Sequence, residues 1–152
     1  MIEQARRGFL MAIAIKRVYD AASSKDGVRV LVDRLWPRGL TKKAAAVDEW
    51  LRDLAPSNEL RRWYHAQPEE WESFRKKYLK ELRGPESQSA LGRLYELAHE
   101  QSLLTLLFAS KNETTNNAVV LKELLEQKRK PPRGTGAGAA YALRKRAAVR
   151  HR

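Results

Sequence analysis

The sequence predicts a small three-layer α/β/α domain on a mostly parallel sheet, with a basic C-terminal tail. Two continuous apolar runs mark buried strands. Val28–Leu35 has Val or Leu at five of eight positions, and Leu103–Phe108 is apolar but for Thr105. Both are bounded by glycine, proline or polar residues, as strands covered on both faces are. Several segments between them carry apolar residues at helical spacing, and helices intervening between apolar strands point to crossover connections.

Residues 1–11 read as an N-terminal extension, with Met11 as an alternative start. Ile13–Tyr19 reads as a first strand, closed by Asp20 and a polar turn through Gly27. That turn is too short for a crossover helix, so the first two strands are expected to pair as an antiparallel hairpin in a mixed sheet. Pro37 and Gly39 end the second strand, and Thr41 is placed to cap a helix running to about Leu51.

Ala55-Pro56-Ser57 breaks the chain, and Ser57 caps a short helix to His65. Leu60, Trp63 and Tyr64 share one face of it, and Arg61 and His65 share another flank. Arg61 and Arg62 read as a solvated face, and His65 as a lone histidine that could act as acid or base but more commonly has no catalytic part. Pro68 opens a longer helix to about Leu82, with Trp71, Phe74, Tyr78 and Leu82 as its stripe and Arg75 inside that arc. After Gly84-Pro85 a further helix spans about 87–100, with Leu91, Leu94 and Ala98 inward. The second apolar run follows as a central strand, then a polar loop over 109–113 and a helix from about Thr115 to Gln127. The four tryptophans read as core rather than as a stacking platform.

The 152 residues suit one domain over 12–128, and 43% hydrophobic content can fill its core. The formal charge of +12 is unevenly placed. Residues 128–152 hold nine Lys or Arg and no acid, which leaves 21 basic against 18 acidic residues, a net of +3, for residues 1–127. The basicity belongs to the tail, 129–152, where Pro131-Pro132 and three glycines between 134 and 138 read as a flexible linker. The absence of cysteine excludes disulfides, thiolate metal sites and cysteine nucleophiles. His65, His99 and His151 are too scattered for a metal site. No apolar run approaches the roughly 18 residues of a membrane span, and no cleavage-like motif follows Phe9–Ile15, so the chain reads as cytoplasmic.

Chemistry is expected at the carboxyl edge of the sheet, where open α/β folds place their ligands. Asp33 and Arg34 end the second strand there, and Arg38 and Lys42 follow. The last helix offers that edge its free N–H groups. Asn117, Leu121 and Leu124 recur at i, i+4 and i+7, so Asn117 points inward at the first turn while Asn116 points elsewhere. The plainer alternative stays open: a structural Asp33–Arg34 ion pair, solvated Arg38 and Lys42, and an Asn117 that ties down its own loop. Ser57 and Ser110 both read as caps rather than nucleophiles.

Asp33-Arg34-Leu35-Trp36-Pro37-Arg38-Gly39, then Leu54-Ala55-Pro56-Ser57 with Leu60 and Trp63, closely resembles the YeaO-like family of uncharacterised bacterial proteins, domain of unknown function 488. The resemblance continues through Trp71, Phe74, Tyr78 and Glu81-Leu82 to Lys111, Asn116, Ala118 and Leu121, covering about 12–127. It implies a small cytoplasmic α/β domain without an assigned activity. It also implies two departures: Asn112 stands where the family commonly has Asp, and Asn117 where it commonly has His. A carboxylate–histidine pair can do general acid/base work that two amides cannot.

The leading expectation is therefore a domain that binds a small anionic ligand bearing phosphate or carboxylate, with no cofactor. Asp33, Arg34, Arg38, Lys42, Lys111, Asn116 and Asn117 are its candidate contacts, arginine favouring bidentate recognition. The competing expectations are a nucleic-acid-binding protein that uses the tail, and an interaction module without a small-molecule site. Removing residues 131–152 separates the first two. Truncation should leave the melting point nearly unchanged while abolishing most non-specific nucleic-acid binding and flattening its salt dependence. Tight nucleic-acid binding by the truncated chain at physiological salt would assign that role to the body instead.

Overall fold

The structure is a computed structural model that describes residues 12–127. The extension and the tail lie outside the described residues. Four strands form one sheet: β1 (Ala12–Arg17), β2 (Val28–Leu31), β3 (Glu49–Trp50) and β4 (Leu103–Phe108). Their order is β1-β4-β2-β3, and every pair is parallel. The five helices are α1 (Lys42–Ala45), α2 (Asn58–Ala66), α3 (Trp71–Glu81), α4 (Pro85–Glu100) and α5 (Asn117–Gln127). None is long and apolar enough to cross a membrane.

The expected α/β class holds, but the hairpin does not. β4 lies between β1 and β2, and both run parallel to it. The connection 18–27 is nevertheless a crossover, made without an α-helix. Strand alternation explains how. Val30 and Val32 with Leu104, Leu106 and Phe108 face α2–α5 in the main core. The opposite face carries Val18, Leu31 and Leu107, which meet Ala45 of α1 in a smaller apolar cluster, and also Lys16, Arg29 and Thr105.

On that second face the crossover is fastened by polar groups. A 3₁₀ turn at Ser24–Asp26 is closed by a capping box, in which Ser23 and Asp26 satisfy each other's ends. The Asp26 carboxylate accepts from Arg29 Nη1 at 2.5 Å and from Lys16 Nζ at 3.1 Å, while its carbonyl accepts from Thr105 Oγ1 at 2.6 Å. Burial works to raise the Asp26 pKa. The Ser23 N–H, Lys16 and Arg29 outweigh it and hold the carboxyl below its ordinary value.

Arg29 also explains why the helix after Thr41 is one turn long rather than reaching Leu51. Its buried guanidinium takes the Ala45 and Ala46 carbonyls, at 2.8 and 3.0 Å, which a longer helix would need for itself. Ala46 turns left-handed at φ 50°, and Asp48 accepts from the Arg29 N–H at 2.8 Å. Glu49–Trp50 then pair with β2 as an edge strand that periodicity did not predict.

The other helices follow their sequence signals. Ser57 caps α2 through Leu60 N–H and donates to Glu81 Oε2 at 2.6 Å. Pro85 sits in the first turn of α4. Pro68 lies in a turn before α3, which starts at Trp71. Tyr78, fully buried, donates to the Leu54 carbonyl. Arg75 pairs with Glu123 at 3.0 Å, joining α3 to α5.

Two glycines at positive φ should respond differently to alanine. At Gly27, φ 65°, a Cβ would lie 2.4 Å from the Leu103 carbonyl oxygen, whereas at Gly39, φ 83°, it would meet nothing within 4 Å. Gly39→Ala should cost about 1–2 kcal/mol of left-handed strain. Gly27→Ala should cost at least about 2 kcal/mol more in urea unfolding, because β4 and the crossover must separate. Equal costs would mean that this contact yields freely.

Candidate functional site

Parallel strands bring their carboxyl ends to one edge, and the segments after β1, β2 and β4 meet there. Arg17 at the end of β1 donates to the Ser110 and Ala109 carbonyls, at 3.0 and 3.2 Å, and fixes the loop after β4. A cleft of about 470 Å³ opens at this edge. It is lined by Asp33 and Arg34 after β2, by Ala109 and Ser110 after β4, and by Asn116 and Asn117 at the start of α5. Arg61, Tyr64 and His65 of α2 line it as well.

Asp33 is the residue that these elements share. Its Oδ2 accepts from the Ala109 N–H at 2.8 Å, and its Oδ1 from Asn117 Nδ2 at 3.1 Å. Asn117 Nδ2 also donates to the Val32 carbonyl at 3.0 Å, and the Trp50 indole donates to the Asp33 carbonyl at 2.7 Å. Burial pushes the Asp33 carboxyl above its ordinary pKa. The Ala109 N–H, the Asn117 amide and the positive Arg61 pull the other way without cancelling the rise.

No Asp33–Arg34 ion pair forms among the described residues. Arg34 instead reaches the Ala55 and Pro56 carbonyls, at 3.1 and 3.4 Å, and steadies the turn that leads into α2. Arg38 lines the cleft, while the Tyr19 hydroxyl donates to its carbonyl at 2.8 Å. Asn116 is the cap of α5, accepting at Oδ1 from Val119 N–H at 3.1 Å and donating to the Asn112 carbonyl at 2.8 Å. The fold thus brings Asp33, Arg34, Arg38, Asn116 and Asn117 together. Lys42 is exposed on α1, which packs on the other face of the sheet, and Lys111 is exposed in the loop after β4; neither lines the cleft.

Two further readings change. Arg61 is not on a solvated face: it is half-buried, lines the cleft, and its Nε is fully covered with no hydrogen-bond partner. Its pairing with His65 on one flank of α2 was the signal, since both line the cleft. Asn112 and Asn117 are not partners either. Asn112 holds its own turn, accepting from the Thr114 and Thr115 N–H groups at 3.1 and 3.0 Å, and the carboxylate opposite Asn117 is Asp33. Among the described residues, no His, Cys, Asp and Glu group forms a metal-binding cluster.

Residues 12–140 match the family described as "Inactive DUF488-N3 subclade". The chain is 47% identical over 115 residues to the uncharacterized protein YeaO of Escherichia coli (strain K12), covering 76% of this chain and 97% of that one. It is 41% identical over 113 residues to the uncharacterized protein Rv3073c of Mycobacterium tuberculosis (strain H37Rv), covering 74% and 92%. No solved structure matches the chain.

The raised Asp33 pKa fixes the sign of a titration. A carboxyl whose folded pKa lies above its unfolded value binds its proton more tightly when folded. Its contribution to stability is complete below the unfolded pKa and is lost as pH rises through the folded one. Carboxyl-carbon NMR should find Asp33 titrating above the ordinary 3.8, and Arg61→Gln should move it further up by removing the nearby positive charge. A midpoint at or below 3.8 would mean that the Ala109 and Asn117 hydrogen bonds outweigh burial.

Proposed function

The chain belongs to the YeaO-like DUF488 family, and on that footing we propose that it binds a small anionic ligand at this edge without turning it over. One observation carries the reading. Three arginines, Arg34, Arg38 and Arg61, line a cleft whose single lining carboxylate among the described residues, Asp33, is already held by neutral donors. Among the described residues Arg38 and Arg61 have no side-chain hydrogen bond or ion pair of their own. Unpaired guanidinium groups beside an apolar wall favour a phosphate or carboxylate, which two parallel N–H groups can grip.

Binding without turnover is supported by Asn117. The family resemblance puts a histidine there, and against Asp33 it would form a carboxylate–imidazole pair. An amide neither takes up nor releases a proton at ordinary pH. Asp33 therefore has a hydrogen-bond partner but no proton relay, which agrees with the inactive subclade matched. A second reading, nucleic-acid binding through the tail, is favoured by the nine basic residues and no acid of 128–152.

Thermal unfolding against nucleotides, sugar phosphates and organic acids tests the first. A ligand at about one hundred times its Kd adds about 2.7 kcal/mol, a shift of several degrees in Tm. Arg61→Gln should abolish most of that shift and change the ligand-free Tm by no more than about two degrees, since Arg61 makes no hydrogen bond or ion pair among the described residues and acts on Asp33 only at a distance. Should no anion in the panel raise Tm, or Arg61→Gln respond as the parent does, the cleft is not an anion site.

A further inference from the structure

Three aromatic residues of the cleft have their polar ends engaged by main-chain carbonyls. Tyr19 donates through its hydroxyl to the Arg38 carbonyl at 2.8 Å, Trp36 through its indole N–H to the Leu40 carbonyl at 2.7 Å, and Tyr64 through its hydroxyl to the Thr115 carbonyl at 3.0 Å. Half-buried Tyr and Trp such as Tyr64 and Trp36 seek such partners; for these two and for the exposed Tyr19 each partner is backbone, so the bond fixes the ring to the frame. Neighbouring rings fix them further. Trp50 meets Trp36 edge-on with centroids 5.5 Å apart, and Phe74 stacks on Tyr64 at 4.3 Å. With their polar ends engaged, Tyr19, Trp36 and Tyr64 offer the cleft ring surface beside the almost fully buried Phe74, while the unpaired Arg38 and Arg61 offer positive charge.

A phosphate or carboxylate alone needs only the arginines. Four fixed rings lining the same cavity are surplus to that need, and a volume of about 470 Å³ lies within the range of pockets that take drug-sized ligands. We infer that the ligand of this cleft joins a planar aromatic ring to its anionic group, as a nucleoside monophosphate does, the ring lying against the aromatic wall and the anion among Arg34, Arg38 and Arg61. This rests on the anion-binding reading above and narrows it. The rings are already fixed by the fold, so little ordering accompanies stacking.

Paired titrations of the full chain at physiological salt test the inference. AMP is compared with ribose 5-phosphate, and indole-3-acetate with acetate. Any attraction of phosphate to the basic tail acts on both members of a pair, so the ratio isolates the ring. In at least one pair the ring-bearing member should bind at least about tenfold tighter, as expected for stacking on aromatic side chains. Trp36→Leu should lower the ratio and leave the affinity for the ring-free member unchanged. Tyr19→Ala, at the exposed rim, should reduce the ratio and serves if Trp36→Leu does not fold. Equal affinities within both pairs would overturn the ring and leave anion binding standing. Binding by none of the four would overturn both.

Discussion

One carboxylate sets the geometry of the upper edge of this fold. Asp33 follows β2, receives the N–H that follows β4 and the first-turn amide of α5, and offers its own carbonyl to a tryptophan of β3. Four elements are tied through one residue, and the cleft is the space left between that tie and α2. Removing a carboxylate from water is costly unless its oxygens are satisfied. Here each oxygen has a neutral donor, and Arg61 supplies charge without direct contact. The arrangement holds a negative group under a cavity otherwise lined by positive ones.

The opposite face solves a different problem. A parallel connection ordinarily buries its sheet face with a helix, yet residues 18–27 cross β4 with only a 3₁₀ turn. The polar set Lys16, Asp26, Arg29 and Thr105 does the work that an apolar helix face does elsewhere. Its directionality is the reason a short segment suffices. Arg29, 4% exposed, reaches a carboxylate and two main-chain carbonyls, so the crossover, β2 and the end of α1 are fixed together. Buried charges tolerate this only when every partner is present.

Local signals carried the elements whose residues answer to local physics. The apolar run Leu103–Phe108, the caps at Ser57 and Thr41, and the α2 face of Leu60, Trp63 and Tyr64 were all legible. The misplaced pieces depend on partners distant in sequence. Lys42–Leu51 has helical composition, but Arg29 claims its carbonyls from 16 and 17 residues away. Strand order was hidden because short connections usually make hairpins and because the fastening groups are polar. At the cleft, Asp33 and Asn117 were legible from strand end and helix phase. Arg61 was read as solvated because helix phase, which puts it beside His65, does not show that this flank faces the cleft. Trp36 was read as core, and it is held as core residues are, with one ring surface left on the cavity.

The position of β4 also governs how the chain assembles as it is made. Among the described residues β1 pairs with β4 alone, and β4 lies centrally although it is the last of the four strands in sequence. A chain emerging from the ribosome therefore carries β1 unpaired until nearly the whole domain has been synthesised. Among the described strands only the two-residue pairing of β2 with β3 is open to it before then. Such non-local pairing slows folding and leaves strand edges exposed. β1 is suited to the wait, since it alternates alanine with isoleucine and ends in Lys16-Arg17. Charge at the end of a strand discourages pairing with other chains. The same lysine and arginine are later taken up by Asp26 and by the Ala109 and Ser110 carbonyls, so groups that keep the nascent strand apart become those that lock the finished sheet.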